Sequence, residues 1–129
     1  MRTLIDLQLR LQPYKNVEYI HYENLGSIAW HYSTGENIEM LFLEASLGYG
    51  ALMYVRFVNL LQSRREKPYN SVFAFRRTDN ETAKHFYEGL GWQQRDLGWS
   101  IYGGAETTIM WIKWEDLVER LQRFSKFDK

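Results

Sequence analysis

The chain has 129 residues, of which 45% are hydrophobic and 25% charged, so it has the size and composition of one globular domain over residues 1–129. It has no cysteine, which excludes disulfides, thiol catalysis and thiolate metal sites. The 16 basic and 16 acidic residues balance without forming charged blocks, so no nucleic acid partner is predicted. Neither a signal peptide nor a membrane span is predicted, and a cytoplasmic location is expected.

The first part of the chain is predicted to contain a short N-terminal segment and then three antiparallel strands. The segment covers residues 1–16, and its apolar residues could form either a strand or a helix. Turn-forming residues separate strands at about 17–23, 27–33 and 37–44. Both alternating faces of the third strand are apolar, which predicts a central strand that is covered on both sides.

A glycine turn then leads into a helix that begins at Ala51. Only Arg56, Asn59 and Ser63 form a polar stripe on it, which predicts a mostly buried helix. The apolar run 71–75 follows and predicts an inner strand. Because a helix connects it to the third strand, these two strands are expected to be parallel.

A second helix is predicted to begin at Thr78, since Thr78 and Glu81 have the spacing of a capping box. Gly91 is predicted to end this helix. Its core side is predicted to carry Ala83, Phe86 and Leu90, and its polar side Asn80, Lys84 and Tyr87.

The last third of the chain predicts a hairpin and a helix. Strands at 99–102 and 107–112 flank a glycine-containing turn. An amphipathic helix is predicted over 113–129, with acidic residues in its first turn and basic residues late. This order of elements is typical of an α+β fold.

Two segments are candidates for ligand binding. At Gly48-Tyr49-Gly50-Ala51 a strand leads through glycines into a helix, whose first N–H groups have no partner within the helix. Such a junction is either a plain tight turn or a phosphate-binding turn. Tyr87 likewise either reaches water at the rim of the core or offers its hydroxyl to a ligand.

Taken together, the glycine turn and the pattern Asn80, Ala83, Phe86-Tyr87, Gly91-Trp92 resemble the GCN5-related N-acetyltransferase (GNAT) superfamily. Members of this superfamily transfer an acetyl group from acetyl-CoA to an amine. The resemblance covers about residues 17–112. It implies a three-layer fold with flanking helices and a mixed, mostly antiparallel sheet. A β-bulge and a V-shaped splay are expected between the strands at 37–44 and 71–75.

The resemblance also implies a binding site for acetyl-CoA as co-substrate. The turn formed by Gly48, Tyr49, Gly50 and Ala51 would hold the CoA pyrophosphate through backbone N–H groups. The pantetheine arm would pair with the strand backbone at Leu41, Phe42 and Leu43. Asn80 would hydrogen-bond this arm, and Phe86 would pack beneath the cofactor.

The catalytic residues implied by the resemblance are a tyrosine and a carboxylate. Tyr87 would protonate the departing thiolate, and Glu39 or Glu44 would act as general base, directly or through water. Glu39 lies in an apolar strand, where a carboxylate must be paired, hydrated or raised in pKa. Glu44 could simply be solvated at the end of its strand. The histidines are scattered, so no metal site is predicted.

The sequence also departs from the family pattern. The usual loop reads [QR]-x-x-G-x-[GA], but Ala45 stands at its first position, and the turn is about three residues shorter. Only residues 1–16 precede the first strand, so the acceptor groove is either open or closed by a second subunit, as in a homodimer. Two functions follow: an N-acetyltransferase of unknown amine acceptor, or an inactive GNAT-fold binding module.

Overall fold

The computed structural model describes residues 4–64, 69–100 and 104–123. The helices are α1 (Leu4–Leu11), α2 (Gly50–Arg64), α3 (Glu81–Gly89) and α4 (Trp114–Leu121). The strands are β1 (Val17–Tyr22), β2 (Gly26–Tyr32), β3 (Asn37–Ala45), β4 (Ser71–Arg77), β5 (Gln93–Ser100) and β6 (Ala105–Lys113). Residues 101–103 of the predicted hairpin and 124–129 of the predicted last helix lie outside the described residues.

The strands form one sheet in the order β1-β2-β3-β4-β6-β5. Neighbouring strands are antiparallel except β3 and β4, which are parallel. This confirms the predicted α+β fold with a mixed, mostly antiparallel sheet. β3 and β4 are parallel because α2 connects the end of β3 to the beginning of β4, which lies beside the beginning of β3. None of the described helices combines the length and apolar character that a membrane crossing requires.

The central strand β3 is covered on both sides, as its two apolar faces predict. On one side Ile38 and Met40 belong to the main core, which α2 covers. On the other side Leu41 and Phe42 pack against the second core cluster, formed by Leu7 and Leu11 of α1 with Ala29. The N-terminal segment is a helix: Leu7 and Leu11 are buried while Leu9 between them is 58% exposed, whereas a strand would place all three on one face.

β3 contains a bulge on the side where it pairs with β2. The register runs from Ala29 opposite Phe42 to Trp30 opposite Met40, so Leu41 is the extra residue. A bulge bends the strand and increases its local twist. The last part of β3 is thereby turned away from β4, while it continues to pair with β2.

β3 and β4 diverge directly after this point. Their parallel pairing runs only from Asn37 opposite Ser71 to Met40 opposite Ala74. β3 continues to pair with β2 as far as Ala45, and β4 with β6 as far as Arg77. The expected V-shaped splay is confirmed, and it leaves a gap in the middle of the sheet.

The predicted start of α3 is wrong by two residues. Asn80, and not Thr78, is the N-cap, and its Oδ1 accepts a hydrogen bond from the Ala83 N–H at 3.1 Å. The backbone N–H of Thr78 still pairs with the Glu106 carbonyl, and its hydroxyl lies 2.8 Å from that of Thr108. Thr78 cannot cap the helix because it is still held by the sheet.

The predicted start of the hairpin is also wrong. β5 begins at Gln93 and pairs with β6 from Gln93 opposite Trp111, although its predicted start is residue 99. Its first residues can be polar because β5 lies at the edge of the sheet and most of its described side chains are exposed to solvent. Hydrophobic alternation therefore does not mark this strand.

A polar cluster at the end of α2 predicts a dependence of stability on pH. Tyr32 and Arg64 both donate hydrogen bonds to the Glu18 carboxylate. Burial raises the pKa of Glu18, but these hydrogen bonds outweigh it and hold the pKa below the usual 4.5. The pairing therefore stabilises the fold above about pH 4.5, and this stabilisation is lost as the pH falls through the lower folded-state pKa.

We expect Glu18→Gln to flatten the pH dependence of the free energy of unfolding between neutral and acidic pH. Urea denaturation of both proteins across this range measures the effect. Glu23→Gln, in the exposed turn after β1, is the matched control and should leave the pH dependence unchanged. Equal pH dependence of Glu18→Gln and the parent protein would contradict the prediction.

Candidate active site

A cavity of about 730 Å³ lies where β3 and β4 diverge. Of the predicted site residues, the structure places Leu41, Phe42, Leu43, Gly48, Gly50, Ala51, Asn80, Phe86 and Tyr87 in its wall. Tyr49, Glu39 and Glu44 do not line it. The cavity thus brings one side of α3 to the end of β3 and the adjoining glycine turn, although Gly48 and Asn80 are 32 residues apart in the sequence.

The start of α2 presents backbone N–H groups to this cavity. Gly48 has a φ of 88°, and the Tyr49 N–H closes a turn on the Ser46 carbonyl at 2.9 Å. The N–H groups of Gly50 and Ala51 donate to no acceptor within the described part of the chain. Unpaired N–H groups at the positive end of a helix dipole attract an anion such as a phosphate.

The glycine turn is also held from behind. The Ser46 N–H donates to the Leu25 carbonyl at 2.8 Å, and the Ser46 hydroxyl donates to the Asn24 carbonyl at 2.9 Å. Tyr49 contributes its backbone to the turn, while its side chain is 40% exposed and points away from the cavity wall. The turn is therefore anchored to the loop between β1 and β2 before any ligand binds.

Gly50 permits a close contact between α2 and α3. A Cβ atom at this position would lie 2.8 Å from Cε1 and 3.0 Å from Cζ of Phe86. Any side chain here would displace either the Phe86 ring or the first turn of the helix. Because both line the cavity, the glycine helps determine its shape.

The resemblance to the GNAT superfamily implies that this turn binds acetyl-CoA, and on that basis we expect Gly50→Ala to weaken acetyl-CoA binding by about tenfold or more, since displacement of the first turn moves the anion-binding N–H groups. Isothermal titration calorimetry measures the change. Gly89→Ala is the matched control, because a Cβ atom at Gly89 meets nothing within 4 Å. Unchanged affinity in Gly50→Ala would show that the turn does not contact the ligand.

Tyr87 is not on a polar helix face, contrary to the sequence prediction. It is 7% exposed and packs among the rings of Tyr54, Phe86 and Trp92. The prediction failed because Tyr87 lies beside the splay, where the cavity takes the place of bulk solvent. Only its position in the cavity wall gives the ring access to a ligand.

The Tyr87 hydroxyl has a buried partner. It lies 2.6 Å from the hydroxyl of Tyr54, a residue of α2 that is fully buried. Burial raises the pKa of Tyr87 to about 12, although the hydrogen bond from Tyr54 lowers it. Burial also raises the pKa of Tyr54, as does its proximity to Tyr87. Both phenols are therefore neutral at physiological pH.

The direction of this hydrogen bond follows from the surroundings of the two hydroxyls. Tyr54 has no other partner within the described residues, and a buried donor without an acceptor is costly. Tyr54 therefore donates to the Tyr87 oxygen. The hydrogen of the Tyr87 hydroxyl takes no part in this bond and can point into the cavity, which the Tyr87 side chain lines. The arrangement can present a neutral acid to a bound molecule.

Three arginines line the cavity, namely Arg10, Arg76 and Arg77, and no aspartate or glutamate is among its described lining residues. Arg76 is almost completely buried and bonds Gln94 and the carbonyls of Arg77 and Thr78. Gln94 in turn donates to the Lys84 carbonyl at 3.0 Å, which ties α3 to the sheet. The cavity therefore has a positive potential that suits an anionic ligand.

The two predicted base residues lie outside the cavity wall. Glu39 Oε1 is 2.7 Å from His31 Nε2, and each side chain is about one-fifth exposed. Glu39 is thus paired, which is one of the three outcomes that its apolar strand allows. Glu44 is half-buried near the end of β3. Both lie on the α1 side of the sheet, opposite the side that α2 covers.

Sequence reasoning missed several residues that the site uses. Tyr54 was counted only within a buried helix, although a tyrosine there signals a hydroxyl that needs a partner. Arg10 had no signal, because its contribution depends on how α1 packs. His31 was counted only among the scattered histidines, and it is the partner of Glu39.

No protein-family model matches the sequence, and no curated protein matches it. Solved structures do match. Ard1 from Thermoplasma volcanium has a TM-score of 0.57 at 20% identity, and the match covers 69% of this chain and 62% of Ard1. The chain thus spans less than two thirds of Ard1.

Two further matches are longer. The ribosomal-protein-S18-alanine N-acetyltransferase from Escherichia coli has a TM-score of 0.56 at 13% identity, covering 84% of this chain and 76% of that protein. The spermidine/spermine N-acetyltransferase SpeG from Vibrio cholerae has a TM-score of 0.62 at 14% identity, covering 91% and 78%. With the splayed sheet and its cavity, these similarities show that the chain has the fold of the GNAT acetyltransferases.

Proposed function

We propose that this protein is an N-acetyltransferase that moves an acetyl group from acetyl-CoA to a primary amine. One observation carries the proposal: the free N–H groups at the start of α2 and the Tyr87 ring line the same cavity between the diverging strands. A cavity with both an anion-binding site and a neutral acid suits acetyl-CoA, which carries a thioester at one end and phosphate groups at the other.

Each predicted cofactor residue has a place in this proposal. The N–H groups of Gly48, Gly50 and Ala51 would bind the pyrophosphate, while Tyr49 closes the turn. The backbone of Leu41, Phe42 and Leu43, which lies beyond the last residue pair between β3 and β4, would pair with the pantetheine amides. Asn80 would donate from its amide, since its Oδ1 already accepts from Ala83. Phe86 would form the floor beneath the arm.

Tyr87 would act as general acid. When the amine attacks the acetyl carbonyl, the carbon–sulfur bond breaks and the thiolate takes the proton from the Tyr87 hydroxyl. Because burial raises the pKa of Tyr87 to about 12, this hydroxyl keeps its proton at the pH of the cell, so the proton to be transferred is present. Tyr54 would stabilise the phenolate that forms, through the hydrogen bond that it donates.

The base that deprotonates the amine is assigned to Glu39, acting through water. Its carboxylate lies on the α1 side of the sheet, and the hydrogen bond with His31 fixes its orientation. Glu44 is the second candidate on the same side. Neither reaches the cavity wall directly, which is why a water molecule belongs in this step.

The structural neighbours do not select the acceptor. Their names specify an alanine of ribosomal protein S18 in one case and spermidine or spermine in another. The acceptor of this chain must therefore be inferred from its own cavity.

The predicted homodimer stays a prediction. Sedimentation of the purified protein tests it.

Calorimetric titration with acetyl-CoA tests the proposed function. Micromolar binding is expected, together with much weaker binding of acetyl-pantetheine, which lacks the pyrophosphate. Absence of binding at millimolar acetyl-CoA would overturn the proposal and support the alternative, an inactive binding module with this fold. Equal affinity for both compounds would show that the α2 terminus does not hold the pyrophosphate.

A further inference from the structure

The cavity passes through the sheet and has two different ends. One end contains the start of α2 and the side of α3 described above. The other end opens on the side that α1 covers, where Phe42 belongs to the α1 cluster. Strand alternation places Phe75 and Arg77 on this side as well, because Ala74 and Arg76 of β4 face the main core. Arg10 of α1 completes this second end.

Two arginines line the second end, and no carboxylate is among its described lining residues. Arg10 lies over the Phe42 ring, with its guanidinium carbon 5.1 Å from the ring centre. Arg77 lies on β4, across the gap from Phe42. Three acidic residues lie near this end without lining it: Glu39 is paired with His31, Asp79 is paired with Arg77 at 3.1 Å, and Glu44 is on the same side of β3 as Phe42. The part of the cavity wall that is described contains no Asp or Glu side chain.

This end is also lined by aromatic rings. Phe42 and Phe75 both line the cavity, and Phe75 is 48% exposed. Stacking on Phe42 holds the Arg10 guanidinium by a cation–π contact and leaves its edge N–H groups free. A planar guanidinium presented in this way binds a carboxylate through two parallel hydrogen bonds.

We propose that the acceptor is a primary amine that also carries a carboxylate and an apolar group, such as an apolar amino acid. Arg10 binds the carboxylate, Arg77 adds positive potential, and Phe42 and Phe75 contact the apolar group. A polyamine is disfavoured, because its positive charges would face the Arg10 guanidinium with no carboxylate in the described wall to offset it. The inference rests on the proposed function, since it assigns the second substrate of the same cavity.

The test compares amines in matched pairs that differ by the carboxylate. The pairs are L-phenylalanine with phenethylamine, and L-lysine with 1,5-diaminopentane, and spermidine is measured beside them. Binding to the CoA-loaded protein is measured by calorimetry, and acetylation is measured by thiol release. The member with the carboxylate is expected to bind about 10- to 100-fold more tightly, as a charge-assisted hydrogen bond would give.

Variants assign the preference to the arginines. Arg10→Gln should reduce the ratio within each pair to nearly one, and it should lower the affinity for acetyl-CoA much less than it lowers this ratio. The double variant Arg77→Gln with Asp79→Asn removes the second cation without leaving an unpaired carboxylate, and it should reduce the ratio less. Arg95→Gln is the matched control, since Arg95 is an exposed arginine of β5 outside the cavity wall.

The possible results separate the two proposals. Failure of acetyl-CoA to bind overturns the proposed function itself. If acetyl-CoA binds but spermidine or the amines without a carboxylate are preferred, the acceptor assignment is wrong while the proposed function stands. The assignment is also overturned if no pair shows a preference, or if Arg10→Gln weakens acetyl-CoA binding and leaves the ratio unchanged.

Discussion

Replacing Tyr87 with phenylalanine is expected to lower kcat by about 10²- to 10⁴-fold, which is the usual contribution of a positioned general acid. The ring is kept, so its packing against Tyr54, Phe86 and Trp92 is retained. Affinity for acetyl-CoA should therefore change little. Steady-state kinetics with saturating acetyl-CoA, combined with calorimetry, separates the two quantities.

Tyr54→Phe is the matched variant, because it removes the other hydroxyl of the same buried pair. Tyr87→Phe leaves the buried Tyr54 hydroxyl without a partner, so it should also cost about 1–3 kcal/mol of stability. Tyr54→Phe leaves the Tyr87 hydroxyl facing the cavity, so it should lower kcat less. An equal kcat for Tyr87→Phe and the parent protein would remove Tyr87 from the mechanism.

The pKa of Tyr87 adds a second check on its role. Because this pKa is about 12, the phenol stays protonated as the pH rises through the range of ordinary assays. The general acid should therefore cause no loss of kcat until the pH approaches that value. A fall of kcat with a midpoint near pH 8 or 9, absent in Tyr87→Phe, would contradict this pKa.

Phe57→Ala is expected to destabilise the protein by about 3–5 kcal/mol, the usual cost of deleting a fully buried phenylalanine ring. Phe57 of α2 is 0% exposed. Its ring centre lies 4.7 Å from that of Trp30 in β2 and 5.9 Å from that of Trp114 in α4. One ring therefore links the sheet to two helices, and its loss leaves a cavity among rigid neighbours.

Chemical denaturation of Phe57→Ala measures this loss as a shift of the midpoint. Phe75→Ala is the matched control, since the same side chain is deleted at a position that is 48% exposed. Its cost should be well below that of Phe57→Ala. Similar midpoints for the two variants would show that Phe57 does not link the layers as proposed.

Much of the fold could be predicted from local patterns in the sequence. The two apolar faces of residues 37–44 marked a central strand, and the narrow polar stripe of α2 marked a buried helix. The errors concern segments whose secondary structure depends on tertiary contacts. Thr78 was assigned as a helix cap, although its backbone still pairs with β6. The polar residues 93–96 were not assigned to a strand, although they form the start of the edge strand β5.

By itself, the sequence determined the order of the elements, the glycine turn before α2 and the resemblance that identified the cavity residues near Gly50 and Tyr87. These features depend on neighbours in the chain, where turn chemistry and hydrophobic periodicity act. Only the tertiary structure decided that Tyr87 is buried against Tyr54, that Glu39 is held by His31, and that Arg10 of α1 faces the gap between β3 and β4. Those contacts join residues distant in sequence, and packing of the layers sets them.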